Sequence, residues 1–301
     1  MRHYIEDNNE LFRLLEESVL FSKSTRIEKL KKKPAKLIYS KILEKITRLG
    51  KIAIKIRAKT FWDQDMIVAI PGRASLRLYR YGFFEEGLTR MILEYLKPGM
   101  TFFDIGAHFG YYTLLSSEIV GNLGRIHSFE PTPSTLNTLR DNVSNNDNII
   151  INNYAVFSKE KNVFINDYGT KYSAFNSIYD ARLPKDVHEK LKVIKYEVES
   201  ISIDRYVKNN AIIPDFIKID AESSEYEILL GMEKTINNFS PIITIEVGDK
   251  GVNGVPRSKD IINFLIDRGY QPYEFKEGKI VHHIVKNEPY QYENIIFLSN
   301  K

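Results

Sequence analysis

Apolar positions along the chain show two textures. Up to about residue 60 they recur every three or four residues, the period of a helix with one apolar face. One helix is predicted over Asn9–Phe21. A second starts near Leu37 and carries Ile38, Ile42, Ile46, Leu49, Ala53 and Ile56 as its stripe, with Lys41, Lys45, Arg48, Lys51 and Lys55 largely between them. Lys31-Lys32-Lys33-Pro34 separates the two. Residues 63–80 read as two short strands, Met66–Ile70 and Leu76–Tyr79, turned at Pro71-Gly72. A helix over Glu85–Leu96 stops at Lys97-Pro98-Gly99.

From residue 100 short apolar runs alternate with helical patterns. The predicted strands are Thr101–Ile105, Arg125–Glu130, Ile149–Val156, Pro214–Asp220 and Pro241–Val247, with Tyr270–Phe275 and Asn294–Leu298 closing the set. Helices Tyr111–Val120, Ser134–Asn145, Ser224–Asn237 and Ser258–Arg268 lie between them. Such alternation implies an α/β fold, a mostly parallel sheet covered on both faces, with any ligand beyond the carboxyl ends of the strands. The polar segment 158–200 interrupts it before a short helix near Ile203–Val207, and a connection that long reads as a lid or substrate-binding insertion. The chain thus divides into a basic helical extension (1–60), lead-in strands and helix (61–99), and a main domain (100–301) carrying that insertion.

Composition narrows the class. At 43% hydrophobic and 27% charged the chain is an ordinary globular one, and its lack of cysteine excludes disulfides, zinc–thiolate sites, iron–sulfur clusters and cysteine nucleophiles. No apolar run reaches about 18 residues, the length of a membrane span. The start, Met1 to Asp7, lacks the basic-then-apolar order of a secretory signal, so a cytoplasmic location is expected. Charge is unevenly distributed. Between Lys23 and Lys59 stand 14 Lys and Arg against Glu28 and Glu44, a net of +12, whereas residues 60–301 carry −5. A nucleic-acid reader places its positive charge on the folded domain, so no nucleic-acid partner is expected. The stretch 23–59 reads as an appendage packed on the domain or on a second copy. Alternatively it is a helix lying on an anionic inner-membrane surface.

Candidate chemistry gathers at the strand ends. The first strand runs into Asp104-Ile105-Gly106-Ala107-His108-Phe109-Gly110 and then a helix, and the second ends in Phe129-Glu130-Pro131. Gly106 and Gly110 permit a tight turn against a ligand, and an acid at the second tip can accept from ribose hydroxyls. Dinucleotides and S-adenosylmethionine both use this geometry. The spacing lacks the middle glycine of G-x-G-x-x-G. Asp104, expected at the mouth, would repel a phosphate by on the order of 1 kcal/mol or more. A cationic methyl donor is therefore favoured over a nicotinamide dinucleotide. His282-His283 falls on a hairpin, and His127 reads as core.

Taken as an ordered set, these residues resemble the FkbM-type S-adenosylmethionine-dependent methyltransferases. The motifs are Asp104 to Leu114, Phe129-Glu130-Pro131, Phe216-Ile217-Lys218-Ile219-Asp220-Ala221-Glu222 with Glu225 and Leu229-Leu230-Gly231, and Pro241 to Glu246. The likeness covers about residues 79–298. It implies a class I, Rossmann-like methyltransferase fold with a seven-stranded, mostly parallel sheet whose last strand is antiparallel, here with an N-terminal helical extension. It also implies that Asp104, Gly106, Ala107, His108 and Gly110 surround the methionine part of the cofactor, Glu130 its ribose, and Asp220 its reactive end. One departure stands out: Ser223 occupies a position where the family usually has glycine, which could narrow the pocket or alter the helix start.

Asp220, Glu222 and Glu246 are the candidate catalytic acids. One of them could take a proton from an acceptor hydroxyl, or Asp220 and Glu246 could hold a divalent cation that orients two hydroxyls, the less favoured reading. The expected function is methyl transfer to oxygen of a sugar, glycan or natural-product acceptor, a preference that comes from the resemblance. A nicotinamide oxidoreductase or a non-catalytic binding protein with this fold are the alternatives.

Overall fold

The computed structural model describes residues 8–50, 52–179, 193–249 and 254–300. Three helices, α1 (Asn8–Lys23), α2 (Arg26–Lys32) and α3 (Pro34–Gly50), precede a hairpin of β1 (Ile54–Lys59) and β2 (Asp65–Ile70) and the helices α4 (Arg73–Tyr81) and α5 (Glu86–Tyr95). There follow β3 (Thr101–Ile105), α6 (Tyr111–Val120), β4 (Arg125–Phe129), α7 (Pro133–Val143) and β5 (Ile149–Asn152). β6 (Ala155–Val156) leads into the insertion, which brings β7 (Asn162–Asp167) and β8 (Ile194–Ile201). The chain continues through α8 (Ile203–Asn210), β9 (Phe216–Ile219), α9 (Glu225–Leu230), α10 (Glu233–Phe239) and β10 (Ile242–Val247). It closes with α11 (Ser258–Ile266), β11 (Tyr270–Lys276), β12 (Lys279–His282) and β13 (Glu293–Ser299).

The main sheet runs β5-β4-β3-β9-β10-β13-β11-β12. Strands β5, β4, β3, β9 and β10 are parallel, while β13 is antiparallel to both β10 and β11. This is the expected seven-stranded arrangement plus an eighth, β12, which pairs with the edge strand β11 through the hairpin that carries His282. Side chains alternate across the sheet as strand geometry requires. Phe102 and Phe216 enter one apolar layer with α5, α6 and α7, and Phe103 and Ile217 enter the other with α8, α9 and α11. Both layers are apolar and buried. The parallel strands are packed on both faces, and their carboxyl ends form the base of a site.

Several predicted elements resolve differently. Leu76–Tyr79 belongs to helix α4, since four residues of alternation cannot separate the two periods and Gly82, with φ +83°, closes a helical turn there. The second N-terminal helix stops at Gly50 rather than near Ile56. Ile54 and Ile56 alternate along β1, paired with Ile70 and Val68 of β2. The run Ile149–Val156 breaks after Asn152, and β6 leaves the main sheet to pair with β8. The helix predicted over Ser224–Asn237 divides around Gly231 into α9 and α10. Part of the insertion, residues 180–192, lies outside the described residues.

The extension is docked, but not through the face its periodicity suggests. Leu11, Leu15 and Val19 of α1 join the main core, and Asn8 Nδ2 donates to the carbonyls of Leu93 and Leu96 at 2.8 and 3.0 Å, closing the end of α5. Helix α3 instead buries Leu37, Ser40, Leu43 and Thr47, with Arg80 Nε donating to Ser40 Oγ at 2.8 Å. The stripe Ile38, Ile42, Ile46 and Leu49 faces solvent. Among the described residues no helix is long and apolar enough to cross a membrane.

Candidate active site

Parallel pairing sets Asp104 of β3 opposite Lys218 of β9, on the same face of the sheet. Lys218 is 2% exposed. Its Nζ lies 3.1 Å from Asp104 Oδ1 and 3.6 Å from Asp220 Oδ2, and donates to the Gly106 carbonyl at 3.3 Å. Burial alone would pull the Lys218 pKa down; Asp104 first, then Asp220 and Glu85, outweigh it and hold the ammonium above its ordinary range. Thr113 of α6 donates to Asp104 Oδ2 at 2.6 Å. Asp104 is therefore not at the mouth of the site. It is fully buried beneath the cavity floor, compensated by Lys218, and does not reach the cavity wall.

The turn after β3 is shaped by close approach. Gly106 has φ +77°, and a Cβ there would stand 1.8 Å from the Asp220 carbonyl, so glycine lets this turn abut the end of β9. Gly110, at φ +90°, serves packing. A Cβ there would meet Leu139 Cδ1 at 2.5 Å, and the residue is not on the cavity wall. Ala107 and His108 do line the cavity. Glu130 lines it too, yet its carboxylate already accepts from His108 N at 2.8 Å, Thr132 N at 2.9 Å and Thr135 Oγ1 at 2.8 Å. Three of roughly four acceptor positions are thus taken, leaving about one for a ligand. Glu130 ties the turn after β3 to the start of α7.

Above these turns opens a cavity of about 230 Å³. That is far beyond the roughly 10–15 Å³ a single water requires. Its walls carry Glu85, Asp220, Glu222 and Glu246. Carboxylate oxygens of Asp220, Glu222 and Glu246 all lie within 4.8 Å of one another. Burial first, then Asp220 and Glu85, push the Glu246 carboxyl well above the ordinary carboxylate range. Glu85 is raised likewise, by burial and then Asp220; it accepts from Tyr112 Oη at 2.8 Å and Asn294 Nδ2 at 3.3 Å. Glu85 adopts a left-handed backbone, φ +39°, at the start of α5, a strained conformation that turns its carboxylate inward. Four carboxyl groups thus share the cavity wall with one ammonium, and a bound cation would favour the ionised forms of Glu85 and Glu246. The cavity suits a cation.

The insertion covers one side. Ser173 Oγ lies 2.8 Å from His108 Nε2, and Ser177 Oγ donates to the Glu222 carbonyl at 2.5 Å, so the polar segment spans the turns after β3 and β9. Burial, and then Lys218, lower the His108 pKa to about 4, leaving the ring neutral near pH 7. Ser223 stands at φ +85° beside Glu222 at φ +44°. It lies off the main cavity, so the departure from glycine acts on the backbone of the turn, not on pocket width. Glu225 braces that turn, its Oε1 accepting from Ala221 N and Ser223 N at 3.1 Å. Of the other histidines, His127 is core, 2.7 Å from Tyr206 Oη, and buried His283 lies 2.8 Å from Tyr290 Oη.

The strand-end reading brings Gly106, Ala107, His108, Glu130, Asp220, Glu222 and Glu246 to one cavity and leaves Asp104 and Gly110 behind it. It overlooks Lys218, Glu85 and Tyr112. A lysine inside the apolar run Phe216 to Ile219 is a readable signal for a buried partner. Nothing local marks Glu85, which reaches the site only through the fold.

Comparison with known proteins adds the family. No curated protein sequence matches the chain. Solved structures of similar shape include an FkbM methyltransferase from Methylobacillus flagellatus, 14% identical with a TM-score of 0.42, aligned over 74% of this chain and 52% of that one. This chain therefore spans about half the length of that relative. Others are Aeropyrum pernix fibrillarin with natively bound S-adenosyl-L-methionine (14% identity, 68% of each chain, TM-score 0.40) and a Geobacter metallireducens precorrin-6y C5,15-methyltransferase (16%, 70% and 85%, TM-score 0.38). The model of the methyltransferase FkbM domain matches residues 104–272, from the buried Asp104 into β11, and more than half of the whole. With the sheet order described above, the chain belongs to the FkbM methyltransferase family and has its class I, Rossmann-like fold.

Proposed function

We propose that the chain transfers the methyl group of S-adenosylmethionine to a hydroxyl oxygen of a sugar, glycan or natural-product acceptor, by direct in-line displacement. The observation that carries this reading is the gathering of Glu85, Asp220, Glu222 and Glu246 on one cavity wall beside a backbone turn that can cradle a small ligand. The donor brings a sulfonium and an ammonium and no phosphate, which that wall favours. In the reaction the carbon–sulfur bond breaks as the carbon–oxygen bond forms. The acceptor's proton passes to a carboxylate, and the products are a methyl ether and S-adenosylhomocysteine. Asp220 or Glu246 takes that proton. The raised pKa of Glu246 brings its basicity nearer to neutral pH, where general-base catalysis is most effective. Holding donor and acceptor in line supplies about 7–11 kcal/mol of barrier reduction.

Titration calorimetry with S-adenosylhomocysteine and with NAD, followed by labelled-methyl transfer into fractionated cell extract, tests the reading. S-adenosylhomocysteine should bind and NAD should not. Asp220→Asn should keep that binding while turnover falls by roughly 10²–10⁴. Tight NAD binding, or full turnover by both Asp220→Asn and Glu246→Gln, would overturn it. Loss of activity in EDTA that Mg²⁺ restores would instead make Asp220, Glu222 and Glu246 cation ligands, as their clustered oxygens also permit.

A further inference from the structure

Exposed large hydrophobic side chains are concentrated in the extension. On α3, Ile38, Ile42, Ile46 and Leu49 are 48–75% exposed. At about 100° per residue these positions fall within about 80° of arc, a continuous ridge along the helix. Lys41, Lys45 and Arg48, all exposed, form the edge beside it, and the opposite face is the one that packs on the domain. Ile27 of α2, 67% exposed, adds to the apolar surface before the ridge. Leaving these large side chains about half or more exposed while the same helix buries Ser40 and Thr47 beside Leu37 and Leu43 is not what folding alone would select.

We infer that α3 is a docking surface for an anionic lipid bilayer, its isoleucine ridge entering the headgroup boundary and its basic edge resting on acidic headgroups. Charge complementarity selects the occupant. The stretch 23–59 carries +12 while the remainder from residue 60 carries −5, so an anionic plane attracts the extension and turns the acidic body away. A second copy of the chain docked ridge to ridge in antiparallel fashion about a two-fold axis would bring Lys41, Lys45 and Arg48 against their like-charged equivalents. A single-stranded nucleic acid would call for aromatic stacking platforms, and the ridge is aliphatic, with Tyr39 at its margin. An amphipathic helix with a basic flank suits the bilayer interface. This inference stands apart from the proposed chemistry, since none of these residues lines the catalytic cavity.

The test is co-sedimentation of the full chain with vesicles of phosphatidylcholine alone and of phosphatidylcholine with phosphatidylglycerol, across a salt series. Binding should be at least about tenfold stronger on the anionic vesicles and should weaken as salt rises. The Ile42→Glu, Ile46→Glu double variant should lose about tenfold or more of that binding, and Lys41→Ser with Lys45→Ser should lose the preference for the anionic lipid. Circular dichroism and S-adenosylhomocysteine affinity identical to the parent would certify that these surface variants fold. Absent binding to anionic vesicles, or binding the double glutamate variant leaves unchanged, overturns the inference. So does a parent dimer that this variant dissociates, which would assign the ridge to a second copy, or binding to RNA in place of vesicles.

Discussion

The floor and the wall of the cavity are both acidic, yet the ammonium of Lys218 sits closer to the floor's Asp104 than to the wall's Asp220. Asp104 is fully buried, but Lys218 and Thr113 meet its two oxygens and the charge is closed within the protein. Glu85, Asp220, Glu222 and Glu246 crowd the wall, sharing with Asp104 one ammonium that lies beneath them. The floor is therefore built for stability. The wall gathers carboxyl groups whose ionised forms a cationic ligand would favour, and clustered acids with raised pKa values are where binding and catalysis tend to be found.

The largest effect should come from opening the floor. Lys218→Met leaves Asp104 buried without compensation and should cost about 3–5 kcal/mol of stability in denaturant unfolding. Adding Asp104→Asn to that variant removes the orphaned charge and should return at least about 1 kcal/mol, a coupling that two independent sites would not show. If Lys218→Met proved harmless, the contrast between floor and wall would lose its basis.

The wall should answer to pH instead. Glu246 has a folded-state pKa above its unfolded one, so its favourable contribution is complete below the ordinary carboxylate range and lost as pH rises through the raised value. Glu246→Gln should match the parent in stability at low pH. It should become relatively more stable with rising pH, by at most about 1.4 kcal/mol per unit. Thermal unfolding of the pair over a pH series measures it, and a constant difference would place Glu246 in an ordinary, solvated environment.

The smallest effect belongs to the turn between them. Ser223 at φ +85° adopts a conformation costly to any residue with a Cβ. Ser223→Gly should stabilise the chain by on the order of 1 kcal/mol, less the entropy glycine adds to the unfolded state, with little change in S-adenosylhomocysteine affinity. A destabilised variant would mean that the serine side chain contributes more than its backbone strain costs.

Much of the fold was legible in the sequence because it is local. Apolar runs of four or five residues between amphipathic helices specify parallel strands, and Asp104 to Gly110 specifies a turn between strand and helix wherever it occurs. Errors arose where a short window served two periods, at Leu76–Tyr79, or where strand pairing ended a helix, at Ile54. The site was legible by position and not by direction. Asp104 lies within β3 opposite Lys218 and Asp220 just past the end of the neighbouring β9, so one is fully buried under α6 and the other lines the cavity.

What the sequence determined on its own was the order of strands and helices, the family they belong to and the list of acids near the strand ends. The tertiary structure alone decided which acids are paired. Lys218 meets Asp104 across 114 residues of chain, and Asn294 reaches Glu85 across 209. It also decided that α3 turns its serine and threonine inward and its isoleucines out. The physical reason is common to both. Periodicity records the geometry of a residue with its near neighbours, whereas compensation of charge and cover of an apolar face depend on partners that only folding brings within a few ångströms.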